Sequence, residues 1–433
     1  MARKSKMSVG GIVVLAVVSV VGMVGAGVLA RILTSAAGDP GVVADQRALA
    51  AFLLVFFVPQ ILCYAFGAVA TAVLHARRRF VVTAVAPMAN SVVMIAVLAA
   101  FAVVVGPDPG LDLDLTGRLL LVLAGTGGVL AFVGVLVVAV VRSGFRLRPH
   151  WGLRDPEVRG LLGHSTWGLL LNAGAGALLG AALIAGNGAA GGVVAYQVAY
   201  VFFLAPYAIL AQPISTTVLP RLTTESEAGD TGAFAHSLRW AMGATLRLVV
   251  PVSVALVVLA GPAMEVVTFG AARDGGSALL AAGLASLGTG LAAYAAFMLL
   301  ARACYALGDS RTPAVAAWIG TVVGVVVMFV GAAFTEGDAL VFALGVGHSV
   351  AFVASTLILW VYVARRVGSG LVPRELPVVV TISLILGVLG WVALRSVDPV
   401  GRIESGALLV ALGGTAALVY LGVIRRLNVE RLT

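Results

Sequence analysis

Several polar side chains stand inside runs that are otherwise apolar: Asn90, Asn172, Gln197, Gln212, Arg302 and His348, with His164 near the start of another run. The densest group lies in "PYAILAQPISTTVLPRL" (206–222), where Gln212, Ser215, Thr216 and Thr217 accompany Pro206 and Pro213. These residue types donate and accept hydrogen bonds, and Arg302 adds a cation. Polar groups at such depth default to functional hypotheses, because hydrocarbon offers them no partner. Each also has a structural reading. Asn90 and Asn172 suit hydrogen bonds that hold helices together. His164 and Arg302, near the ends of their runs, could reach the headgroups along their own stems. His348 fits either an interhelical hydrogen bond or a polar cavity.

The two prolines pose the same choice. Each removes a backbone donor and frees a carbonyl one turn earlier. Broken backbone is tolerated in lipid only against protein or water. One outcome is a kink whose freed groups are met by Ser and Thr hydroxyls at a helix interface. The other is a bent helix lining a polar cavity that changes shape, with Pro206 and Pro213 as the bending residues and Gln212, Ser215 and Thr216 beside them.

Other chemistries find little support. Glu265 and Asp309 lie near loop ends, and no carboxylate is expected at mid-membrane, which argues against a carboxylate relay for protons or sodium. There is no Gly-x-x-x-x-Gly-Lys-Ser/Thr loop and no Gly-x-Ser-x-Gly nucleophile setting. Without a paired catalytic group the chain is not expected to be an enzyme, and no cofactor or metal site is expected. Cys63 and Cys304 sit in apolar segments, as buried small hydrophobes rather than a disulfide framework.

The elements that must position these residues follow from composition. The chain has 433 residues, 61% hydrophobic and 11% charged, with mean hydropathy +1.09. Soluble domains are about 45–50% apolar and about 25% charged, so this is an integral membrane protein. The net charge of +9 comes from short basic loops rather than a basic face, which excludes nucleic-acid binding. Runs long enough to cross a membrane as helices fall at 8–34, 48–74, 82–106, 117–141, 162–185, 190–219, 238–260, 277–301, 313–334, 339–364, 376–394 and 405–424, about 12 spans in an all-α polytopic fold. With the N-terminus inside, the outside segments carry only Arg47, Arg118, Arg273, Arg395 and Arg402 of the 28 basic residues, and Arg31 ends the first span. The rest fall inside, loop after loop, so both termini are expected in the cytoplasm. The uncharged stretch from Met7 to Ala30 is too long for a signal peptide's apolar region, so it is expected to remain as a span. "DPEVRGLLGH" and "GAFAHSLRWAMG" are expected to form short helices on the membrane surface.

At an offset of 230 residues "VLAR" (28–31) falls on "VLAG" (258–261), Tyr64 on Tyr294, Ala76 on Ala306 and Ala84 on Ala314. This weak repeat places a break between parallel halves near 150–160. Three further stretches carry a resemblance. "LHARRRFVVTAVAPMANSVVMI" (74–95), "PYAILAQPISTTVLPRLTTESEAGDTGAF" (206–234) and "ARACYALGDSRTPA" (301–314), with "TFGAARD" (268–274), resemble motifs of the lipid II flippase family (MurJ, also called MviN) of the multidrug/oligosaccharidyl-lipid/polysaccharide exporter superfamily. The resemblance runs through nearly the whole chain.

It implies two lobes around a central cavity and alternating access in the bacterial cytoplasmic membrane. Residues 1–150 would form an incomplete N-lobe, 151–368 the C-lobe, and 369–433 two C-terminal helices with a groove for the lipid tail. The implied cargo is an undecaprenyl-pyrophosphate-linked disaccharide-pentapeptide for peptidoglycan, with membrane lipids and cell-wall synthesis proteins as further partners. Gln212, Ser215, Thr216, Asn90, Asn172, His348 and Arg302 are the cavity-lining candidates. Two departures stand out. The family has fourteen spans, and on these motifs the chain begins at the third, without the two helices whose charged residues meet the pyrophosphate. A further cavity arginine, five residues before the proline matched by Pro206, is Val201 here. A pyrophosphate in a low-dielectric cavity needs cationic partners. Three readings therefore stand: a flippase whose start lies further upstream, a shortened flippase for another lipid-linked cargo or amphiphile, and a non-transporting scaffold of cell-wall synthesis.

Overall fold

The computed structural model describes residues 6–36, 40–106, 109–144, 148–150, 156–269, 276–368, 370–397 and 401–426. The chain divides into two compact units, Met1–Leu162 and Gly163–Thr433.

The first unit holds α1 (Val9–Val24), α2 (Ala26–Leu33), α3 (Pro40–Phe57), α4 (Gln60–Ala76), α5 (Phe80–Val104), α6 (Leu115–Val122) and α7 (Gly128–Arg142). Asp114 caps α6 by accepting from the Gly117 amide at 2.8 Å. A π-helical turn over Leu123–Gly127 joins α6 to α7. The core is small: Ala70, Val73 and Leu74 of α4 pack on Ala86 of α5 and on Leu136 and Val140 of α7. Two three-residue strands, β1 (Lys6–Ser8) and β2 (Arg148–His150), pair in parallel. Among the described residues they are the only exception to an all-helical fold.

The second unit holds α8 (Pro156–Gly186), whose first turns fall before its boundary, α9 (Gly192–Pro206), α10 (Gln212–Glu227), α11 (Thr231–Val258), α12 (Ala260–Val267), α13 (Gly276–Gly288), α14 (Leu291–Ala306), α15 (Arg311–Phe334), α16 (Gly337–Val367), α17 (Leu376–Ser396) and α18 (Arg402–Arg426). Gly229 (φ 70°) ends α10, and Asp230 caps α11 through the Ala233 amide at 2.8 Å. The core is large. One cluster centres on Tyr196, Phe203, Leu287 and Leu291, and another on Phe234, Met242, Leu300 and Leu359. Between α15 and α16 small residues replace bulk: a side chain on Gly320 would collide with Ser355 and Ala351, and one on Gly324 with Ala351 and Gly347. Such close backbone approach is how membrane helices gain packing energy where lipid removes the hydrophobic drive.

Among the described residues ten helices are long and apolar enough to cross a membrane, and up to 12 spans result if each of two bent pairs is one span. Every span expected from the sequence has its helix or bent pair. The bends lie in Val13–Leu33, by 66°, and in Gly276–Ala306, by 46°. The second falls at Gly288–Gly290, where Ser349 and Leu256 press so close that a Cβ would not fit. The two expected surface helices are absent as separate elements. "DPEVRGLLGH" runs into the first turns of α8, a 31-residue helix. "GAFAHSLRWAMG" opens α11, where Phe234, Leu238 and Met242 are core residues. The apolar positions of this second stretch pack on neighbouring helices.

Candidate functional site

The stretch with the paired prolines is one continuous helical span, Gly192–Glu227, 36 residues long. A π-helical turn over Tyr207–Ala211 lies between Pro206 and Pro213. The extra residue of that turn absorbs the missing donors and shifts the facing of everything after it, a device frequent at functional sites. The hydroxyls return to their own helix. Ser215 Oγ donates to Ala211 O at 3.1 Å, Thr216 Oγ1 to Pro213 O at 2.9 Å and Thr217 Oγ1 to Pro213 O at 3.0 Å.

Beyond the π turn the helix has two faces. Ala211, Ser215, Val218 and Leu222 are buried, Ser215 completely. Gln212, Thr216 and Thr217 are exposed. Arg302 of α14 meets this exposed face, its Nη1 lying 3.5 Å from Gln212 O. The ion pairs among the described residues are Arg118–Asp112, Arg221–Glu225 and Arg247–Glu375; Arg302 is in none of them. A half-buried cation without a carboxylate beside exposed amide and hydroxyl groups is an arrangement that can receive an anion.

His348 is elsewhere. It is 2% exposed, and its Nδ1 shares a hydrogen bond with the Tyr196 hydroxyl. Tyr200 and Phe352 flank it with ring centroids at 5.1 Å and 4.9 Å. Asn172 Nδ2 donates to Gly168 O of its own helix at 2.8 Å, on an exposed surface. Asn90 belongs to the first unit, where its carboxamide oxygen abuts Gly128 of α7. Gln197 is exposed on α9. The side chain of His164 lies outside the described residues. Within the second unit the structure thus brings together Gln212, Thr216 and Arg302, and sets Ser215, His348 and Asn172 apart from them.

Two features were not among the expectations drawn from the sequence. Part of the aromatic shell of His348 has a sequence pattern: Tyr196, Tyr200 and Phe203 recur at helical spacing. Glu375 gave no signal, since "VPRELP" reads as a loop, yet it is 1% exposed and lies 4.0 Å from Arg247 of α11. Arg247 in turn borders a cavity of about 350 Å³ walled by Pro251 and Val254 of α11, Gly387 of α17, and Leu412, Ala416 and Tyr420 of α18. Apart from Arg247, Ser383 and the Tyr420 hydroxyl, the walls are apolar.

A multi-pass helical bundle with an open polar face and an apolar cavity under its last two helices is the fold of a polytopic membrane protein. A MATE mutant has TM-score 0.51 at 13% identity, over 83% of this chain and 78% of its own. A mutant of the Vibrio cholerae MATE transporter VcmN has TM-score 0.50 at 16% identity, over 80% and 77%. The solved lipid II flippase MurJ in an inward closed conformation has TM-score 0.73 at 16% identity, over 96% of this chain and 82% of that one. The family model described as lipid II flippase MurJ matches residues 5–401, and the chain belongs to that family. A probable lipid II flippase MurJ of Vibrio cholerae serotype O1 is 24% identical over 311 residues, which is 70% of this chain. The chain spans 57% of the length of that curated relative.

Proposed function

We propose that this chain is a flippase for a lipid-linked peptidoglycan precursor of the lipid II type. It would act by alternating access in the bacterial cytoplasmic membrane, with both termini inside. The observation that carries this is the family match over residues 5–401. The site adds chemical support. Moving a polyprenyl-pyrophosphate saccharide requires a cationic partner for the phosphates, hydrogen-bonding groups for the sugar, and an apolar path for the chain. In this reading Arg302 takes the first role, Gln212 and Thr216 the second, and the cavity under α17 and α18 the third. His348, Ser215 and Asn172 hold the frame.

The test is complementation of a strain depleted of its own lipid II flippase. Rescue by the wild-type chain supports transport. Arg302→Gln is expected to reduce outward translocation of lipid II by about tenfold or more, the worth of one charge-assisted contact at a phosphate. Rescue by Arg302→Gln at the wild-type level would remove Arg302 from the path.

One observation favours a second reading. Val201, at the family's arginine position, is 65% exposed and offers no charge. A chain that carries a different polyprenyl-linked cargo, or that serves as a scaffold for cell-wall synthesis, would tolerate this. Failure of rescue despite normal membrane insertion is the outcome that selects this reading.

A further inference from the structure

Arg247 and Glu375 form an ion pair of an odd kind. Glu375 is buried, yet neither of its carboxylate oxygens has a hydrogen-bond partner among the described residues. It precedes α17 but makes no capping hydrogen bond, so terminating the helix is not its task. The guanidinium stands off at 4.0 Å. Its Nε donates instead, at 3.3 Å, to Gly243 O. Gly243 is glycine for a reason: a Cβ there would occupy the place of Glu375 Oε1. The backbone around the pair is fixed as well, since the Tyr420 hydroxyl donates to Arg247 O at 2.7 Å. A buried pair offsets its desolvation only with close geometry and satisfied lone pairs. This one has neither. The molecule holds two opposite charges near each other without joining them.

What the stand-off leaves open is the cavity. Arg247 is one of its walls, and every other wall apart from Ser383 and Tyr420 is apolar. Arginines at membrane ends commonly extend to the headgroups. Arg247 does not fit that pattern, because its side chain is 17% exposed and is held against Gly243 and Glu375. One cationic end and a long apolar remainder describe the complement of an amphiphile with an anionic head.

We propose that Arg247 is the phosphate-positioning residue of the α11–α17–α18 cavity, and that Glu375 is its counter-ion when the cavity is empty. The occupant is a lipid with a phosphate head on a single apolar chain. When it enters, its phosphate takes the guanidinium at hydrogen-bonding distance and Glu375 gives it up. Gly243 leaves room for the carboxylate to stay in place during the exchange. This rests on the transport reading above, and it adds a second cationic contact for the cargo, apart from Arg302.

The experiment is equilibrium binding of radiolabelled geranylgeranyl pyrophosphate, geranylgeraniol and inorganic pyrophosphate to the full chain in nanodiscs. The wild type is expected to bind the prenyl pyrophosphate about tenfold tighter than the alcohol, with no saturable binding of inorganic pyrophosphate. Arg247→Gln could leave Glu375 as a lone buried charge and unfold the chain. The double variant Arg247→Gln/Glu375→Gln removes both charges; it should bind the alcohol as the wild type does and lose the preference. Glu375→Gln alone should tighten the pyrophosphate ligand several-fold, because the competing carboxylate is gone. Leu412→Trp, which fills the cavity, should abolish binding of both prenyl probes.

A preference that survives in the double variant overturns the proposal, as does Glu375→Gln without tighter binding. Saturable inorganic pyrophosphate binding that the double variant removes would make this a free-anion site and overturn the lipid. If the wild type binds alcohol and pyrophosphate equally, the exchange fails while the apolar path stands. If it binds neither prenyl probe, the apolar path assigned to the cargo fails too.

Discussion

Polar groups enter the second unit in two ways. His348 sits among Tyr196, Tyr200, Phe203 and Phe352, almost without exposure, and its ring nitrogen is matched by the Tyr196 hydroxyl. Gln212, Thr216 and Arg302 sit on an open face, and the cation there has no carboxylate partner among the described residues. Both groups lie in spans, and by sequence they look alike. The difference is in unspent hydrogen-bonding capacity. A polar group enclosed and paired contributes to one packed state. A polar group left open retains donors and acceptors for something that arrives. Depth in the membrane therefore marks a residue as costly, and only its partners say whether the cost serves the fold or a ligand.

The sharpest way to break this contrast is at the histidine. Tyr196→Phe leaves the buried His348 nitrogen without its partner, and His348→Leu leaves the Tyr196 hydroxyl without its partner. Each is expected to destabilise the chain by about 2–3 kcal/mol, the cost of an orphaned buried polar group. The double variant should recover part of that loss, because both partners have become apolar. Thermal unfolding in detergent reads the effect, and rescue of flippase depletion should persist in whatever fraction folds. Loss of rescue in a variant that unfolds like the wild type would place His348 on the transport path.

Asp309 is an intermediate case. It lies in the loop between α14 and α15, outside the spans, but its partners are as complete as those of His348. Oδ1 accepts from the amides of Arg311 and Thr312 at 2.9 Å and 3.0 Å. Oδ2 accepts from Thr312 Oγ1 at 2.6 Å and from the Tyr362 hydroxyl. Partial burial alone would push this carboxyl up, but the four hydrogen bonds outweigh it and hold it below its ordinary range. A depressed folded-state value means that stability is present above the unfolded pKa of about 3.9 and is lost as pH falls through the folded value. Asp309→Asn should cost about 1–2 kcal/mol at neutral pH. The gap between wild type and variant should close as the pH drops below about 4. Two unfolding curves that stay parallel from neutral pH into acid would show that the charge contributes nothing.

Much of this architecture was legible in the sequence, because crossing a bilayer sets a length that each span must meet. Every expected span has its helix, and even the bent pairs kept their place. What the sequence left out was contact. The 46° bend at Gly288–Gly290 depends on Ser349 and Leu256, more than thirty residues distant in opposite directions along the chain. The openings of α8 and α11 have the polarity of surface helices, and their continuation into spans could not be told from composition. Ser215 and Thr216 are neighbours of like chemistry, and only the π turn decides which one is buried. Glu375 sits in a sequence that reads as loop, and its burial comes from Gly243, which no periodicity marks. The first unit shows the same limit from the other side. The most apolar windows of Val42–Ala76 and Phe80–Val104 have no buried residues, whereas that of Gly337–Val367 is 50% buried, at similar hydropathy.

The finest comparison lies within one helix. Ser215 and Thr216 are adjacent, and each hydroxyl bonds a carbonyl of the preceding turn. One is fully enclosed and the other exposed. Ser215→Ala removes a hydroxyl whose acceptor, Ala211 O, is a backbone carbonyl, so stability should change by about 0.5–1 kcal/mol and translocation not at all. Thr216→Val keeps the shape and branching of the side chain and removes only the group that could reach a sugar. Stability should stay within about 0.5 kcal/mol, and on the proposed transport function lipid II translocation should fall about two- to threefold, the scale of one neutral hydrogen bond. Side-by-side unfolding and translocation assays on the two variants separate the faces. Equal translocation in both would mean that the exposed face carries no cargo contact at Thr216. A larger transport defect in Ser215→Ala would reverse the assignment and move the path to the buried side of the helix.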